Sequence, residues 1–156
     1  MTMEHEYRAI CHWEGSTAGG HDAYDRTHTV ELPPAAAALS VSADPHFLGD
    51  GKLVNPESLF LAAAASCQLL SFLAVAARAR LVITAYDDDA RAVLSGRPLA
   101  VTGITLRPRI TAEPPATVER VRHLVEVAHR ECYIANSVST NIEVEPEITV
   151  ERAGRD

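Results

Sequence analysis

Residues 55–77 read NPESLFLAAAASCQLLSFLAVAA, and this stretch decides the fold. Asn55-Pro56-Glu57 is a helix start: Asn caps orphan amides, Pro tolerates the first helical position, and Glu meets the positive end of the dipole. The helix is predicted to run to about Ala79. From Ser58 to Ala77 there are 20 residues without a charge, which is spanning length in a bilayer. Seven of the 20 are Ala, however, and Ser58, Ser66, Gln68 and Ser71 are polar, so the segment reads as a helix buried in a soluble core. Leu59, Phe60, Leu61, Leu69, Leu70, Phe72, Leu73 and Val75 cover every side of it. A chain of this size hides such a helix only with difficulty, which points to a partner subunit.

On the N-terminal side, Tyr7, Ala9, Cys11 and Trp13 alternate with Arg8, Ile10, His12 and Glu14, the period-two pattern of a strand. Gly15 to Gly20 turns the chain, and Arg26 to Leu32 returns as a second strand that Pro33-Pro34 ends. Ser42 to Val54 reads as an ordered loop. On the C-terminal side, Leu81 to Leu94 and Leu99 to Ile110 read as strands, and Thr117 to Arg130 as an amphipathic helix. Ile142, Val144, Ile148 and Val150 mark a closing strand with one acidic face in water. This order predicts an α+β domain with antiparallel sheets over residues 1–156.

Composition narrows the function. The chain has 156 residues, 47% of them apolar, with 14 basic and 21 acidic side chains, for a formal net charge of −7. A domain of roughly 150 residues buries enough surface to fold without disulfides or metal. The acidic balance argues against nucleic acid, whose phosphates need clustered cations. Three scattered cysteines, Cys11, Cys67 and Cys132, do not form a disulfide framework and suit a reducing cytosol. The polar start of the chain carries no export pattern, so a cytoplasmic location is expected.

Each cysteine alone reads as a small buried hydrophobe. Their surroundings say more. Asn55-Pro56-Glu57-Ser58-Leu59-Phe60-Leu61-Ala62-Ala63, Ser66-Cys67, Ala128-His129-x-x-Cys132-Tyr133-Ile134-Ala135-Asn136-Ser137 and Leu106-x-Pro108 together resemble the OsmC/Ohr family of thiol peroxidases. The resemblance implies an intertwined homodimer in which two long helices pack inside sheets from both subunits, with composite active sites. It implies that Cys67 attacks a hydroperoxide, becomes a sulfenic acid, and is captured by Cys132 as a disulfide that a thiol or dihydrolipoyl-type donor reduces. It also implies a thiolate supported by an Arg of the N-terminal hairpin, held by the Glu that opens the central helix.

Glu57 matches that position. For the cation, Gly19-Gly20-His21-Asp22 stands where the organic-hydroperoxide branch carries Gly-Gly-Arg-Asp, so Arg26 is the choice and His21 the competitor. Gln68 departs from the His or Phe that often follows the attacking Cys, which leaves the branch open. No cofactor or metal is expected. His129-x-x-Cys132 and Cys11-His12 are metal-like spacings, but a closed zinc site needs four convergent ligands. Two other readings of the same fold are a redox-responsive protein and a small-molecule carrier, neither with efficient turnover.

Overall fold

The computed structural model describes residues 3–152, and the chain divides into two compact units that meet within its long helix, between Leu59 and Phe60. The first unit carries a three-stranded antiparallel sheet of β1 (Ile10–His12), β2 (His28–Glu31) and β3 (Ala38–Val41), in that order. The first two strands are the predicted hairpin. β3 was not predicted, because Ala-Ala-Leu-Ser-Val lacks apolar–polar alternation until its partner strand supplies the other half of the pattern. Val41 also bridges Val54, and Ser42 N–H donates to the Val54 carbonyl at 2.9 Å, so the loop between them closes on itself. A Cβ on Gly49 would collide with the Ala43 carbonyl inside this loop. Cys11 lies exposed on edge strand β1.

Helix α1 runs without interruption from Pro56 to Arg78. Its start is the predicted one: Asn55 Oδ1 accepts the Ser58 N–H at 2.8 Å. The second unit then adds β4 (Ile83–Asp88), β5 (Arg91–Ser95), β6 (Ala100–Leu106), β7 (Pro108–Ala112), α2 (Val118–Glu131), α3 (Tyr133–Ser137), β8 (Asn141–Val144) and β9 (Glu147–Val150). Each of the three long strands expected from the sequence is therefore two short ones, broken at Asp89-Ala90, at Arg107 and at Glu145-Pro146. The halves form two sheets, β4-β7-β9 and β5-β6-β8.

The breaks share a cause. Asp88 Oδ1 accepts the Arg107 N–H at 2.7 Å, Arg107 Nε donates to Glu145 Oε2 at 3.0 Å, and Glu145 N–H donates to the Leu106 carbonyl at 2.8 Å. Pro108 and Pro146, which have no N–H to give a ladder, follow directly. The sheets are mixed rather than antiparallel: β6 pairs β8, and β7 pairs β9, in parallel register. Such a pairing needs a long crossover, and α2 with α3 provides it.

Phe72, Val75 and Ala76 of α1 pack with Ile110, Ala112, Val121, Leu124, Val125 and Ala128 in the main core, and Ala64 joins Ile104, Leu106 and Ile142 in a smaller one. The buried residues of α1 are Ala64, Gln68, Phe72, Val75 and Ala76, a single stripe at three- and four-residue spacing. One chain therefore covers only this stripe of a helix that is apolar on every side. Within one chain, Ser58, Ala62, Ser66, Leu70, Leu73, Ala74 and Ala77 remain exposed along the opposite side, with Leu70 at 64%.

Candidate active site

Cys67 sits at the middle of α1 and Cys132 at the junction of α2 and α3, where it ends one helix and caps the next. The structure brings the two together. Cys132 is 2% exposed, and its Sγ accepts the Ala135 N–H at 3.5 Å. Burial by itself would push the Cys67 thiol up. Hydrogen bonds from the Ile134 N–H, the Cys132 thiol, the Tyr133 N–H and the Ser71 hydroxyl outweigh it and hold Cys67 below the usual thiol range. Cys132 moves the opposite way: burial raises it, and the neighbouring charge on Cys67 raises it further despite the Ala135 N–H. Cys67 is thus the more acidic thiol of the pair and the first to give up its proton.

The local sequence explains the arrangement. Tyr133 and Ile134 are the first residues of α3, so their N–H groups have no carbonyl within the helix and are free for an outside acceptor. Ser71 is four residues after Cys67, one turn along the same face. Beside Cys67 opens a cleft of about 520 Å³ whose lining includes Leu70, Ala74, Tyr133 and Asn136. Arg78 and Glu131 also line it, joined by a 2.6 Å ion pair.

The other predicted residues lie in the first unit. Arg26, His21 and Glu57 line one cleft of about 380 Å³, together with Tyr24, Asp44 and Phe47. Arg26 just precedes β2. Its guanidinium lies 4.1 Å from the centre of the Tyr24 ring and donates to the carbonyls of Tyr24 (2.9 Å) and His21 (2.7 Å). Trp13 fixes that loop by donating from Nε1 to the Asp25 carbonyl at 2.8 Å and meeting the Tyr24 ring edge-on. Among the described residues, Arg26 and Glu57 form no ion pair, so carbonyls and an aromatic face hold this Arg where the resemblance implies a Glu. His21 is exposed and bonded to Asp22 Oδ1 at 2.9 Å.

The sequence reading missed the groups that act on Cys67 from α3, since a five-residue helix after a capping Cys leaves no periodic signal. It also missed Ser71, whose one-turn spacing from Cys67 was the available clue. Among the described residues, no group of three or more His, Cys, Asp and Glu side chains converges as a metal site.

Residues 49–147 match the family model described as OsmC-like protein. The chain belongs to the OsmC-like family. An OsmC-like protein of unknown function from Vibrio cholerae O1 biovar eltor is 31% identical, with a TM-score of 0.84 over 92% of this chain and 100% of that one. The fold is also that of an organic hydroperoxide resistance protein OsmC from Legionella pneumophila, at 22% identity and TM-score 0.69, covering 96% of this chain and 100% of that one. An organic hydroperoxide resistance protein from Elizabethkingia anophelis is similar at 21% identity and TM-score 0.71, covering 97% and 100%. No curated protein sequence matches the chain.

Proposed function

We propose that this OsmC-like chain is a cysteine-dependent peroxidase that reduces organic hydroperoxides, with Cys67 as the attacking thiolate and Cys132 as the resolving thiol. The observation that carries the reading is the division of labour in the pair: the half-buried Cys67 opens on a cleft and is the more acidic thiol, while the fully buried Cys132 is the less acidic one. Only a thiolate attacks an O–O bond at a useful rate.

The Cys67 sulfur displaces the alkoxide, which leaves as an alcohol after protonation, and is oxidised by two electrons to the sulfenic acid while the peroxide is reduced. Cys132 then forms the S–S bond and releases water. A thiol or dihydrolipoyl-type dithiol donor returns the pair to the reduced state. Arg26 supports the thiolate, and Glu57 sits beside it at the helix start.

The working unit is a homodimer in the cytoplasm, with each site built from both chains. The open stripe of α1 supports this, since it leaves Leu70 and Leu73 exposed in one chain, and small residues at 58, 62 and 66 let a second copy laid antiparallel bring the helices close. Nucleic acid and membrane play no part.

The test is consumption of cumene hydroperoxide with a dithiol donor by the wild type and by Cys67→Ser, with a non-reducing peptide map after one equivalent of peroxide. Turnover lost in the variant and a Cys67–Cys132 link with Cys11 free are the expected results. A Cys11 link, or equal turnover in Cys67→Ser, would sink the reading.

A further inference from the structure

Of the five buried residues of α1, only Gln68 is polar, and it is fully buried at 0% exposure. It follows Cys67 directly in the helix. Its Nε2 donates across to the Val125 carbonyl of α2 at 3.3 Å, 57 residues away in sequence. Its Oε1 is shut off from solvent and meets no hydrogen-bond partner among the described residues.

For stability alone, Gln68 is a poor choice. A buried amide oxygen left without a donor is a standing cost, and Met or Leu at this position would fill the stripe with no orphan atom. What an apolar side chain does not supply is direction. Phe72, Val75 and Ala76 hold α1 against α2 by apolar contact, and apolar cores lose uniqueness of packing before they lose stability. A hydrogen bond weakens steeply off its line, so it fixes a rotation that such contacts leave loose. The other polar side-chain link between the two helices, Arg78 with Glu131, lies at their C-terminal ends and is exposed.

The link from Gln68 lies where rotation matters. Cys67 is one residue away on α1, and Val125 is seven residues before Cys132, which ends the same α2 helix with no loop between. A side-chain atom about 5 Å from a helix axis moves by roughly 1.7 Å when the helix turns by about 20°. That is close to the whole length of an S–S bond, about 2.05 Å.

We propose that Gln68 is a positioning residue: by binding the Val125 carbonyl it fixes the rotation of α1 against α2 and keeps the Cys67 sulfur facing Cys132, set for disulfide closure. The carbonyl has two lone pairs, so it serves Gln68 without leaving the α2 ladder. Gln68 touches neither peroxide nor leaving group and acts only through the helix that carries Cys67. The use of the disulfide rests on the peroxidase reading; the placement of the two sulfurs does not.

The test therefore needs no peroxide. Wild type and Gln68→Met are equilibrated with mixtures of reduced and oxidised dithiothreitol, so that two electrons pass from the protein thiols to the cyclic disulfide of the reagent. The Cys67–Cys132 link is then quantified by non-reducing peptide mapping. The equilibrium constant for closure should fall about tenfold in Gln68→Met, a reduction potential about 30 mV less negative. An ångström of misplacement is enough for a loss of that size. The melting temperature of the reduced variant should be no lower than that of the wild type, because the substitution removes an orphan oxygen.

A change in closure of less than threefold overturns the proposal. A tenfold loss accompanied by a lower melting temperature also overturns it, since Gln68 would then be holding the fold and not the pair. If Gln68→Met does not fold, Gln68→Leu is read by the same two measurements, and failure of both to fold overturns it as well. With one equivalent of cumene hydroperoxide, disulfide closure timed by quenching with dimedone should slow by a similar factor. If the wild type forms no sulfenic acid, the peroxidase reading fails, and the dithiothreitol equilibrium still decides the role of Gln68.

Discussion

A heterodimer of one Glu57→Ala subunit and one Cys67→Ser subunit tests how the two halves of the site come together. Helix α1 is continuous from Pro56 to Arg78, so the ten-position step from Glu57 to Cys67 separates them by about 15 Å along its axis. Side chains of these lengths do not close that gap within one straight helix. The exposed stripe of α1 offers another route. Ser58, Ala62 and Ser66 lie on it, and Glu57 and Cys67 are each five residues from Ala62. A two-fold axis passing at Ala62 between antiparallel copies of α1 therefore sets Glu57 of one chain level with Cys67 of the other. Small residues at the crossing allow interaxial distances of roughly 8 Å. At five residues from the crossing, about 7.5 Å along each helix, a crossing of 20–50° widens this only to roughly 8–10 Å.

Each site then takes Cys67 from one chain and the Arg26–Glu57 cleft from the other. In the mixed dimer, one site carries both substitutions and the other carries neither. Verified heterodimers, purified through two different tags, should recover about half the wild-type peroxidase activity while each parent homodimer stays at about a tenth or less, a loss equivalent to about 1.4 kcal/mol in the barrier. Heterodimers no more active than the parents would place Glu57 and Cys67 in one site of one chain and refute the geometry.

Two further outcomes follow from the electrostatics. Ser71→Ala removes a donor to the Cys67 sulfur and should raise its apparent pKa, since a hydrogen bond to the charged form favours it. The thiolate exists above that pKa, so the rate of oxidation should fall at pH values below the inflection and be unchanged on the plateau above it; thiolate absorbance followed against pH checks the shift. Arg26→Ala should slow the reaction of Cys67 with cumene hydroperoxide and raise the thiol pKa, while His21→Ala does little; a larger shift in the His21 variant would reverse the choice of cation.

The sequence was most readable where one residue does one local job. Asn55 caps α1 as read from the sequence, and Thr117, where the second helix was read to begin, is instead the cap of α2, its side chain accepting the Arg120 N–H at 3.1 Å. The closing strand was legible as apolar and polar faces, but not as two strands in two sheets. Its division depends on Glu145 meeting Arg107 and the Leu106 carbonyl, 38 or more residues away in sequence. The cysteine blocks pointed to a pair, and the cleft shared by Arg26, His21 and Glu57 joins residues picked out from the sequence alone. The amides of Tyr133 and Ile134 were hidden because a backbone donor is the same in every residue type, and only the turn of chain at Cys132 aims them.

A single chain supplies Cys67 with hydrogen-bond donors. Four hydrogen bonds lower the thiol, and burial opposes them; no cation is among the groups that act on it. Arg78 lines the same cleft, yet its guanidinium is bound to Glu131 at 2.6 Å, and the pair presents a dipole of little net charge. Freeing Arg78 would break that ion pair, whose partner adjoins Cys132 in sequence. Arg26 has no such tie: it is held by two carbonyls and a ring, none of which cancels its charge. A guanidinium held by carbonyls and a ring, with no ion pair among the described residues, is suited to meeting an incoming anion. The open face of α1 is where a second copy would bring one.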